Sequence, residues 1–190
     1  GFVGQETKKL FEERGLEVVG FDLMEKNDIQ DYMQLYYFIA KEKPDRILHL
    51  AAIARFAEAD KDPKLAFETN VLGTKNLAVA SETLHIPLVY ASTGSVYMPI
   101  KQEPPITEEF QAMGNSVYGC TKHMGELYIK ECKSPWIILR YAHLYGKEKR
   151  GHGLIGGFLE RIARGLAPTL YGGTQSNDFT YVKDVAEANY

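Results

Sequence analysis

The sequence predicts a doubly wound α/β fold, in which a parallel sheet carries helices on both of its faces. Short β-rich runs alternate with amphipathic stretches, and this alternation is typical of parallel strands joined by crossover helices. The β-rich runs are almost continuously apolar, as expected for strands that are covered on both sides. With 190 residues, 45% of them hydrophobic and 25% charged, the chain is long enough to bury a core.

Four strands are predicted from the β-rich runs. They are residues 17–22 (EVVGFD), 46–52 (RILHLAA), 87–93 (PLVYAST) and 136–141 (WIILRY). Helices are predicted where apolar residues recur at three- and four-residue spacings. These helices cover roughly residues 3–14, 31–42, 63–84, 116–132 and 154–164. Gly15 and Pro44 stand where the first two of them are expected to end.

The character of the sequence changes after Gly146, where glycine and charge replace the alternating pattern. We therefore expect a first domain over residues 1–146 and the beginning of a smaller, C-terminal substrate lobe over residues 147–190. Both ends are expected to be cut from a longer enzyme. The chain opens on a glycine turn that follows the central strand in a doubly wound sheet, and Tyr190 falls within a predicted helix.

Charge and composition argue against several kinds of partner. The 22 basic and 25 acidic residues nearly cancel, and no basic run could track successive phosphates, so nucleic acid is not expected. No apolar stretch approaches the roughly 18–20 residues of a membrane helix, and the first residues do not follow a signal-peptide plan. Cys120 and Cys132 would lie about 18 Å apart on one helix at about 1.5 Å per residue. At that distance they cannot form a disulfide with each other. Two free thiols, and no spacing of Cys and His that matches a zinc site, are typical of a soluble, cytoplasmic protein without a metal.

The first candidate binding motif is Gly1-Phe2-Val3-Gly4, at the start of the first predicted helix. Glycines there allow backbone N–H groups and the helix dipole to approach a pyrophosphate. Asp22, at the end of the next predicted strand, can accept hydrogen bonds from both hydroxyls of an adenine ribose, whereas it would repel a 2′-phosphate. This pattern favours NAD over NADP. The alternative is that the glycines only form a turn and Asp22 is a loop carboxylate.

A second motif, Tyr118-Gly-Cys-Thr-Lys122, places a phenol and an ammonium on one face of a predicted helix. A phenol with a reference pKa of about 10 is a poor base at neutral pH, but a fixed cation beside it favours the phenolate. Tyr118 is thus a candidate general acid/base for an alcohol that exchanges hydride with the cofactor. Thr93 ends a predicted strand at the edge where ligands bind in α/β sheets. Taken singly, such pairs occur by chance and such hydroxyls often only form turns.

Taken in order, nine segments resemble the extended short-chain dehydrogenase/reductase family, in its NAD-dependent epimerase/dehydratase group. These segments are GFVG, FD, DI, HLAA, TN, YASTGSVY, YGCTK, LRYAHLYG and NDFTYVKDVAEA. The resemblance covers essentially the whole chain and implies a Rossmann-type fold with NAD as the cofactor. It also implies a small-molecule substrate, in many relatives a nucleotide sugar, and a homodimer formed through the helices near residues 63–84 and 116–132.

The resemblance further implies roles for individual residues. Thr93, Tyr118 and Lys122 would be the catalytic triad, with Lys122 also holding the nicotinamide ribose. Asp22 would hold the adenosine ribose. The full set of cofactor-binding positions would be Gly1, Phe2, Val3, Gly4, Asp22, Asp28, Ile29, Leu50, Ala51, Ala52, Asn70, Tyr118, Lys122 and Tyr141. Substrate contacts would come from Thr93, Ser95, His143 and Asn177.

Three departures from the family pattern concern the substrate side. His143 stands where the family's R-Y-F-N-V-Y-G segment has an asparagine that commonly contacts the substrate diphosphate. Asn177 stands where many sugar-nucleotide enzymes have an arginine, so a bidentate ligand for phosphate is lost. Met98 replaces a glycine that usually follows Val-Tyr. The sequence therefore supports the cofactor half better than the nucleotide-sugar half.

Three functions remain open at this point. The leading hypothesis is a redox-neutral epimerase or dehydratase, which oxidises a sugar carbinol with bound NAD and later returns the hydride. The second is a reductase or dehydrogenase that releases its reduced cofactor, as in the dehydrorhamnose reductase branch of the family, which the short spacing between Asp22 and Asp28 resembles. The third is a catalytically idle NAD-binding regulator. The intact set of Thr93, Tyr118 and Lys122 argues against this last alternative.

Overall fold

The computed structural model describes residues 1–97, 105–146, 153–170, 172–174 and 176–190. These residues form two compact units. The central unit is Val19–Arg140, and the terminal unit combines Gly1–Val18 with Tyr141–Tyr190. The predicted boundary after Gly146 adjoins residues 147–152, which lie outside the described ranges, and the division into domains stays a prediction.

Helices and strands alternate along the chain as the sequence predicted. The helices are α1 (Phe2–Glu13), α2 (Tyr32–Glu42), α3 (Phe56–Lys61), α4 (Pro63–Phe67), α5 (Thr74–Leu84), α6 (Val117–Glu131), α7 (Gly153–Ala163) and α8 (Val182–Asn189). The strands are β1 (Ile47–His49), β2 (Leu88–Thr93), β3 (Trp136–Tyr141), β4 (His143–Tyr145) and β5 (Phe179–Tyr181). All five predicted helical regions and three of the four predicted strands are confirmed.

The central unit is built on a sheet in the order β1-β2-β3. β1 and β2 run parallel, with Ile47 paired to Leu88 and His49 to Tyr90. The predicted α/β class with a parallel sheet is therefore confirmed. Buried side chains from α2, α5, α6 and the sheet form the core of this unit, among them Leu35, Ile39, Leu77, Ala78, Leu88, Tyr90 and Ile129.

Polar side chains fix where three of these helices begin. Asp31, Asp62 and Ser116 precede α2, α4 and α6, and each accepts a hydrogen bond from the backbone N–H three residues later. Each bond satisfies one of the N–H groups that a helix start leaves without a partner, which stabilises a helix by about 1 kcal/mol. The start of α6 matters most for function because that helix carries Tyr118 and Lys122.

The predicted helix over residues 63–84 is continuous but not uniform. A π-helical turn, Glu68–Gly73, joins α4 to α5. Such turns contain an extra residue relative to an α-helix and are frequent at functional sites. Asn70 lies in this turn with its side chain fully buried. A spacing of apolar residues does not distinguish α from π geometry, so the sequence did not reveal the turn.

The predicted strand over residues 17–22 is wrong. The structure has no strand in this segment, and Val19 is 49% exposed. A strand requires a neighbour that completes its ladder of hydrogen bonds, and the described residues supply none to this segment. Phe21 nevertheless packs on the core, with its ring centroid 5.0 Å from that of Phe38. An apolar side chain can be buried without a strand ladder.

The terminal unit contains α1, α7 and α8 together with a parallel pair formed by β4 and β5. The buried Asn189 of α8 donates a hydrogen bond to Thr7 of α1 and accepts one from the hydroxyl of Tyr141. At the surface, Arg14 binds both carboxylate oxygens of Glu187. Among the helices of the described ranges, none has both the length and the apolar composition needed to cross a lipid bilayer.

Candidate active site

The C-terminal end of β2 positions the hydroxyl of Thr93. This hydroxyl donates to Ser95 Oγ over 3.3 Å and accepts a hydrogen bond from the Ser95 N–H over 3.2 Å. The bonds close a turn at the start of the 3-10 turn Gly94–Tyr97, so the strand ends at Thr93. Thr93 and Ser95, both predicted site residues, therefore lie side by side at the edge of the sheet where α/β proteins bind ligands.

Tyr118 lies in the first turn of α6 and its ring packs edge-on against Phe56, with 5.4 Å between centroids. Burial raises the pKa of Tyr118, and a hydrogen bond with the Thr93 side chain opposes that rise. The structure thus brings together two of the predicted catalytic groups from different elements. A raised pKa keeps the phenol protonated at neutral pH, so a nearby positive charge is needed before it can accept a proton.

Lys122 follows one turn later and is buried, with 2% of its surface exposed. Burial lowers the pKa of Lys122 to about 7, while the charge of Glu126 acts in the opposite direction. Its Nζ lies 4.1 Å from the centroid of the Tyr90 ring, a cation–π contact. The Tyr90 hydroxyl in turn donates to the Lys122 carbonyl over 3.3 Å. Lys122 can therefore exchange its proton near neutral pH while its position is held from β2.

Two glycines allow α6 to lie close against the end of β2. A Cβ added at Gly119 would lie 2.8 Å from the carbonyl oxygen of Ser95, and one added at Gly125 would overlap the Tyr90 hydroxyl. Any side chain at these positions would push the helix away from the strand. The close approach of Tyr118 and Lys122 to β2 therefore depends on both glycines.

Asn70 connects three backbone segments behind these side chains. Its Oδ1 accepts from the Ile53 N–H over 2.8 Å, and its Nδ2 donates to the Ile53 carbonyl over 3.1 Å and to Thr121 Oγ1 over 3.0 Å. Thr121 donates onward to the Tyr118 carbonyl over 3.0 Å. Asn70 thus ties the segment that follows β1 to the helix that carries Tyr118.

The predicted cofactor residues on that segment are Leu50, Ala51 and Ala52. They directly follow β1 at the same edge of the sheet as Thr93. Ala51 is exposed, whereas Leu50 and Ala52 are partly buried. A small exposed side chain leaves room for a flat ligand to lie along this backbone, so the placement is compatible with the predicted cofactor contact.

Asp22 and Asp28 lie in a turn-rich segment of the central unit. Asp22 is exposed, and its Oδ1 accepts from the N–H two residues later, which caps the 3-10 turn Leu23–Glu25. Asp28 Oδ1 likewise accepts from the N–H two residues later. The side chain of Ile29 belongs to the hydrophobic core and lies against Gly73. The predicted contact between Ile29 and the cofactor would therefore have to come from its backbone.

In the terminal unit, Gly1, Phe2, Val3 and Gly4 form the beginning of α1. Neither a side-chain cap nor an acidic residue occupies this helix start, so its N–H groups and positive dipole end are suited to an anion. Tyr141, predicted to contact the cofactor, donates its hydroxyl to Asn189 over 2.5 Å. Burial raises the pKa of Tyr141 to about 12, and the bond to Asn189 opposes the rise.

His143 and Asn177, the predicted substrate residues of the terminal unit, lie at one end of the β4-β5 pair. His143 is paired with Phe179, and its N–H donates to the Asp178 carbonyl over 3.1 Å. Asn177 is the residue directly before Asp178, and both His143 and Asn177 are exposed. Met98, the third departure from the family pattern, lies outside the described residues.

A buried charge network that the sequence did not reveal lies beside these groups. Glu126 is completely buried, and its carboxylate accepts hydrogen bonds from Ser92 and from two nitrogens of Arg140. Burial acts to raise the pKa of Glu126, but the bonds from Arg140 and Ser92 outweigh it and lower the pKa. The signal was present, because Glu126 follows Lys122 by the same four-residue step that joins Lys122 to Tyr118. In the described part of the chain no cluster of side chains could hold a metal.

Residues 1–190 match the sequence model of the family described as "NAD dependent epimerase/dehydratase family". The chain belongs to this family. The family match confirms the predicted resemblance and names NAD as the cofactor, as predicted. The individual cofactor and substrate contacts stay predictions.

Two of the similar proteins differ in the reaction that their names describe. A putative UDP-glucose 4-epimerase of Methanocaldococcus jannaschii is 32% identical over an alignment of 158 residues, and the match covers 75% of this chain and 50% of that protein. A dTDP-4-dehydrorhamnose reductase of Streptomyces griseus is 31% identical over 147 residues, 77% of this chain and 48% of that protein. The chain thus spans about half the length of these curated relatives.

A solved structure of the UDP-glucose 4-epimerase of Thermus thermophilus, in complex with NAD, has the same fold. The TM-score is 0.86 at 30% sequence identity, and the match covers 99% of this chain and 70% of that one. This likeness confirms the predicted Rossmann-type, doubly wound class.

Proposed function

We propose that the whole protein is an NAD-dependent epimerase or dehydratase that acts on a nucleotide sugar. It would oxidise a sugar carbinol and return the hydride within one catalytic cycle, so that no net redox change occurs. The observation that carries this proposal is the grouping of Thr93, Tyr118 and Lys122 in the central unit. The Thr93 side chain acts to lower the pKa of Tyr118, and Lys122 is a buried lysine one helical turn after Tyr118. Relatives named as epimerases support the choice of reaction.

The residues of this chain fit NAD as a ligand. Asp22 presents an exposed carboxylate with only one oxygen engaged within the described ranges, which suits the two hydroxyls of an adenosine ribose. The glycines that begin α1 leave backbone N–H groups for a pyrophosphate, and Lys122 would hold the nicotinamide ribose. Bound NAD supplies the acceptor and donor of hydride.

Proton transfer is the task of Tyr118 in this proposal. The phenolate takes the proton of the substrate hydroxyl as hydride leaves the same carbon, and the phenol returns it when hydride comes back. A positively charged Lys122 would favour the phenolate, against the rise in the pKa of Tyr118 that burial causes. The hydroxyl of Thr93, whose side chain influences the pKa of Tyr118, would hold the substrate oxygen in line with the phenol.

The substrate is proposed as a nucleotide sugar because relatives carry that chemistry in their names. His143 and Asn177 lie together at one end of the β4-β5 pair and are both exposed, as residues that meet a diphosphate would be. Neither offers the permanent, forked charge of an arginine. We therefore expect this protein to bind the diphosphate more loosely than relatives with arginine at position 177.

A reductase is the second candidate, favoured by the relative named as a dTDP-4-dehydrorhamnose reductase. The two reactions differ in the fate of the reduced cofactor. A reductase consumes NADH in proportion to product, whereas an epimerase or dehydratase leaves the amount of NADH unchanged. Absorbance of NADH during turnover of the purified whole protein distinguishes them.

The test of the proposed function is Tyr118→Phe in the whole protein, with UDP-glucose and deoxythymidine-diphosphate glucose as substrates. We expect turnover to fall below a tenth of the wild-type rate, which corresponds to at least about 1.4 kcal/mol of the barrier, while NAD affinity is kept. Tyr37→Phe is the control, because Tyr37 lies on α2 of the same unit and its side chain is exposed. Turnover above a tenth of the wild-type rate in Tyr118→Phe would show that the phenol is not the acid/base.

We also propose a homodimer formed through α5, α6 and the π turn. Large apolar side chains are exposed along these elements, namely Leu72, Val79, Met124, Leu127 and Tyr128. Where such side chains form one contiguous patch, they mark a site of protein–protein interaction. Leu127→Glu should convert the whole protein to a monomer in light scattering, whereas Lys41→Glu on α2 should not. A dimer that survives Leu127→Glu contradicts this interface.

A cytoplasmic location is proposed on the chemistry of the cysteines. Cys120 and Cys132 are both free thiols in the structure, and free thiols persist in reducing compartments. Localisation of the tagged whole protein tests this proposal.

A further inference from the structure

We propose that Glu126 is a positioning residue, which holds Thr93 in place through a clamp made of Ser92, Glu126, Arg140 and Tyr97. The clamp fixes the chain on both sides of Thr93. Glu126 itself is buried and does not touch the reacting atoms. This inference rests on the proposed function, because it concerns the hydroxyl that would hold the substrate oxygen.

One side of the clamp is the bond between β2 and α6. Ser92 directly precedes Thr93 and is 2% exposed. Its Oγ donates to Glu126 Oε1 over 2.5 Å, a short bond of the charge-assisted kind. Because consecutive residues of a strand share one backbone, anchoring Ser92 to α6 fixes the position of Thr93 relative to that helix.

The other side of the clamp holds the turn after Thr93. Arg140 Nη1 donates to the Tyr97 hydroxyl over 2.7 Å, and the guanidinium lies 4.7 Å from the centroid of the same ring. Tyr97 is the last residue of the 3-10 turn Gly94–Tyr97. The segment from Ser92 to Tyr97 is thus held at both ends with Thr93 between them.

Glu126 joins the two sides. Its Oε1 accepts from Arg140 Nε over 2.8 Å and its Oε2 from Arg140 Nη2 over 2.6 Å, a bidentate pair. The other charged or titratable groups around the carboxylate include Lys130 Nζ at 3.7 Å and His123 Nδ1 at 3.9 Å. Lys122 lies one turn earlier on the helix, and Tyr90 faces the pair from β2. Tyr118, Lys122 and Glu126 follow one another at four-residue steps, so they share one face of α6.

Geometry explains this buried pair better than stability does. Replacing a buried ion pair by apolar residues is often neutral or stabilising, so such a pair is weak evidence for a stabilising role. Here the pair of Glu126 and Arg140, together with Ser92, joins α6, β3 and β2. It does so next to Thr93 and Tyr118, two predicted catalytic groups that come from different elements. A hydroxyl displaced by about 1 Å from its reactive position can reduce a rate about a hundredfold.

The test uses the whole protein and three variants. Ser92→Ala removes the bond from Ser92 to Glu126 but leaves the ion pair intact. Tyr97→Phe removes the bond to the turn, and Glu126→Gln removes the negative charge. We expect Ser92→Ala to lower kcat by about tenfold to a hundredfold, with KM and NAD affinity unchanged. Ser81→Ala is the matched control, because Ser81 is equally buried and donates to a backbone carbonyl elsewhere, over 2.6 Å.

The pH profile adds a readout that a purely structural role would not move. The charge of Glu126 raises the pKa of Lys122, so Glu126→Gln should shift the limb of the kcat profile that follows Lys122 to lower pH. Ser92→Ala keeps that charge and should leave the limb in place while still lowering kcat. An unshifted limb in Glu126→Gln would contradict the coupling between these two residues.

A wild-type kcat in folded Ser92→Ala and Tyr97→Phe overturns the proposal that the clamp positions Thr93. These two variants test it even when Glu126→Gln does not fold. Failure of the proposed function is recognisable separately, because the wild-type protein would then turn over no nucleotide sugar. In that case amide hydrogen exchange across residues 94–97 still tests the clamp. Faster exchange in Ser92→Ala than in Ser81→Ala supports it, and equal exchange overturns it.

Discussion

Gly125→Ala should destabilise the protein because α6 lies against β2 without space for a methyl group. The added Cβ would overlap the Tyr90 hydroxyl and lie 3.0 Å from Tyr90 Cζ and 3.2 Å from the Asn70 carbonyl oxygen. Tyr90 and Asn70 are both completely buried, so neither can turn away into solvent. The helix must therefore move, and it takes Lys122 with it.

The size of the effect follows from three contributions. Forcing a methyl group into a packed core costs about 1–3 kcal/mol. The bond from the Tyr90 hydroxyl to the Lys122 carbonyl would be lost or stretched, at about 1 kcal/mol. Alanine is better than glycine in a helix by about 1 kcal/mol, which offsets the second contribution. The free energy of unfolding should fall by about 2 kcal/mol.

Urea unfolding of the whole protein, followed by circular dichroism, measures this loss. Gly157→Ala on α7 is the control, because a Cβ there meets nothing within 4 Å and should show only the gain in helix propensity. In a Tyr90→Phe background the nearest atom is removed, so Gly125→Ala should cost less. The packing argument would be refuted if Gly125→Ala were as stable as the wild type. It would also be refuted if the loss in free energy of unfolding were the same in the Tyr90→Phe background.

Three further predictions follow from the charged and polar groups. Asp22→Ala should narrow the preference for NAD over NADP in calorimetry, and a wild-type protein that binds both equally contradicts the role of Asp22. Lys122 has a folded pKa of about 7 against an ordinary value of 10.5, so between these values the unfolded state binds more protons and stability rises with pH. Lys122→Met should abolish that rise, measured as urea midpoints across the window. Asn177→Arg should tighten binding of UDP-glucose by about 1–3 kcal/mol, and a titration without any gain argues against a diphosphate site.

Local patterns predicted most of the secondary structure. β2, β3 and α6 were predicted within two residues, because an apolar run or a helical spacing is contained within each segment. Residues 17–22 have the same apolar character but form no strand, since a strand also depends on a partner that its own sequence does not contain. β4 and β5 are three residues long, too short to give a recognisable pattern.

Some residues of the candidate site were predicted from local patterns, whereas others were not. Tyr118 and Lys122 were found because four residues on one helix are a local spacing, and Thr93 because it ends a strand. The clamp was missed because its bonds join positions 34 residues apart for Ser92 and Glu126 and 43 apart for Tyr97 and Arg140. Such pairings appear only when the strands and helices are placed together.

The π turn Glu68–Gly73 sets the rotational phase of the helix that contains it. In an α-helix each residue advances the side chains by about 100° around the axis, so one extra residue rotates everything after it by that amount. Asn70 can therefore face Ile53 and Thr121, while Leu77 and Ser81 on the following α5 face the core. Deleting one residue from the turn would restore α geometry and misalign one of these two faces, even though no catalytic side chain had been touched.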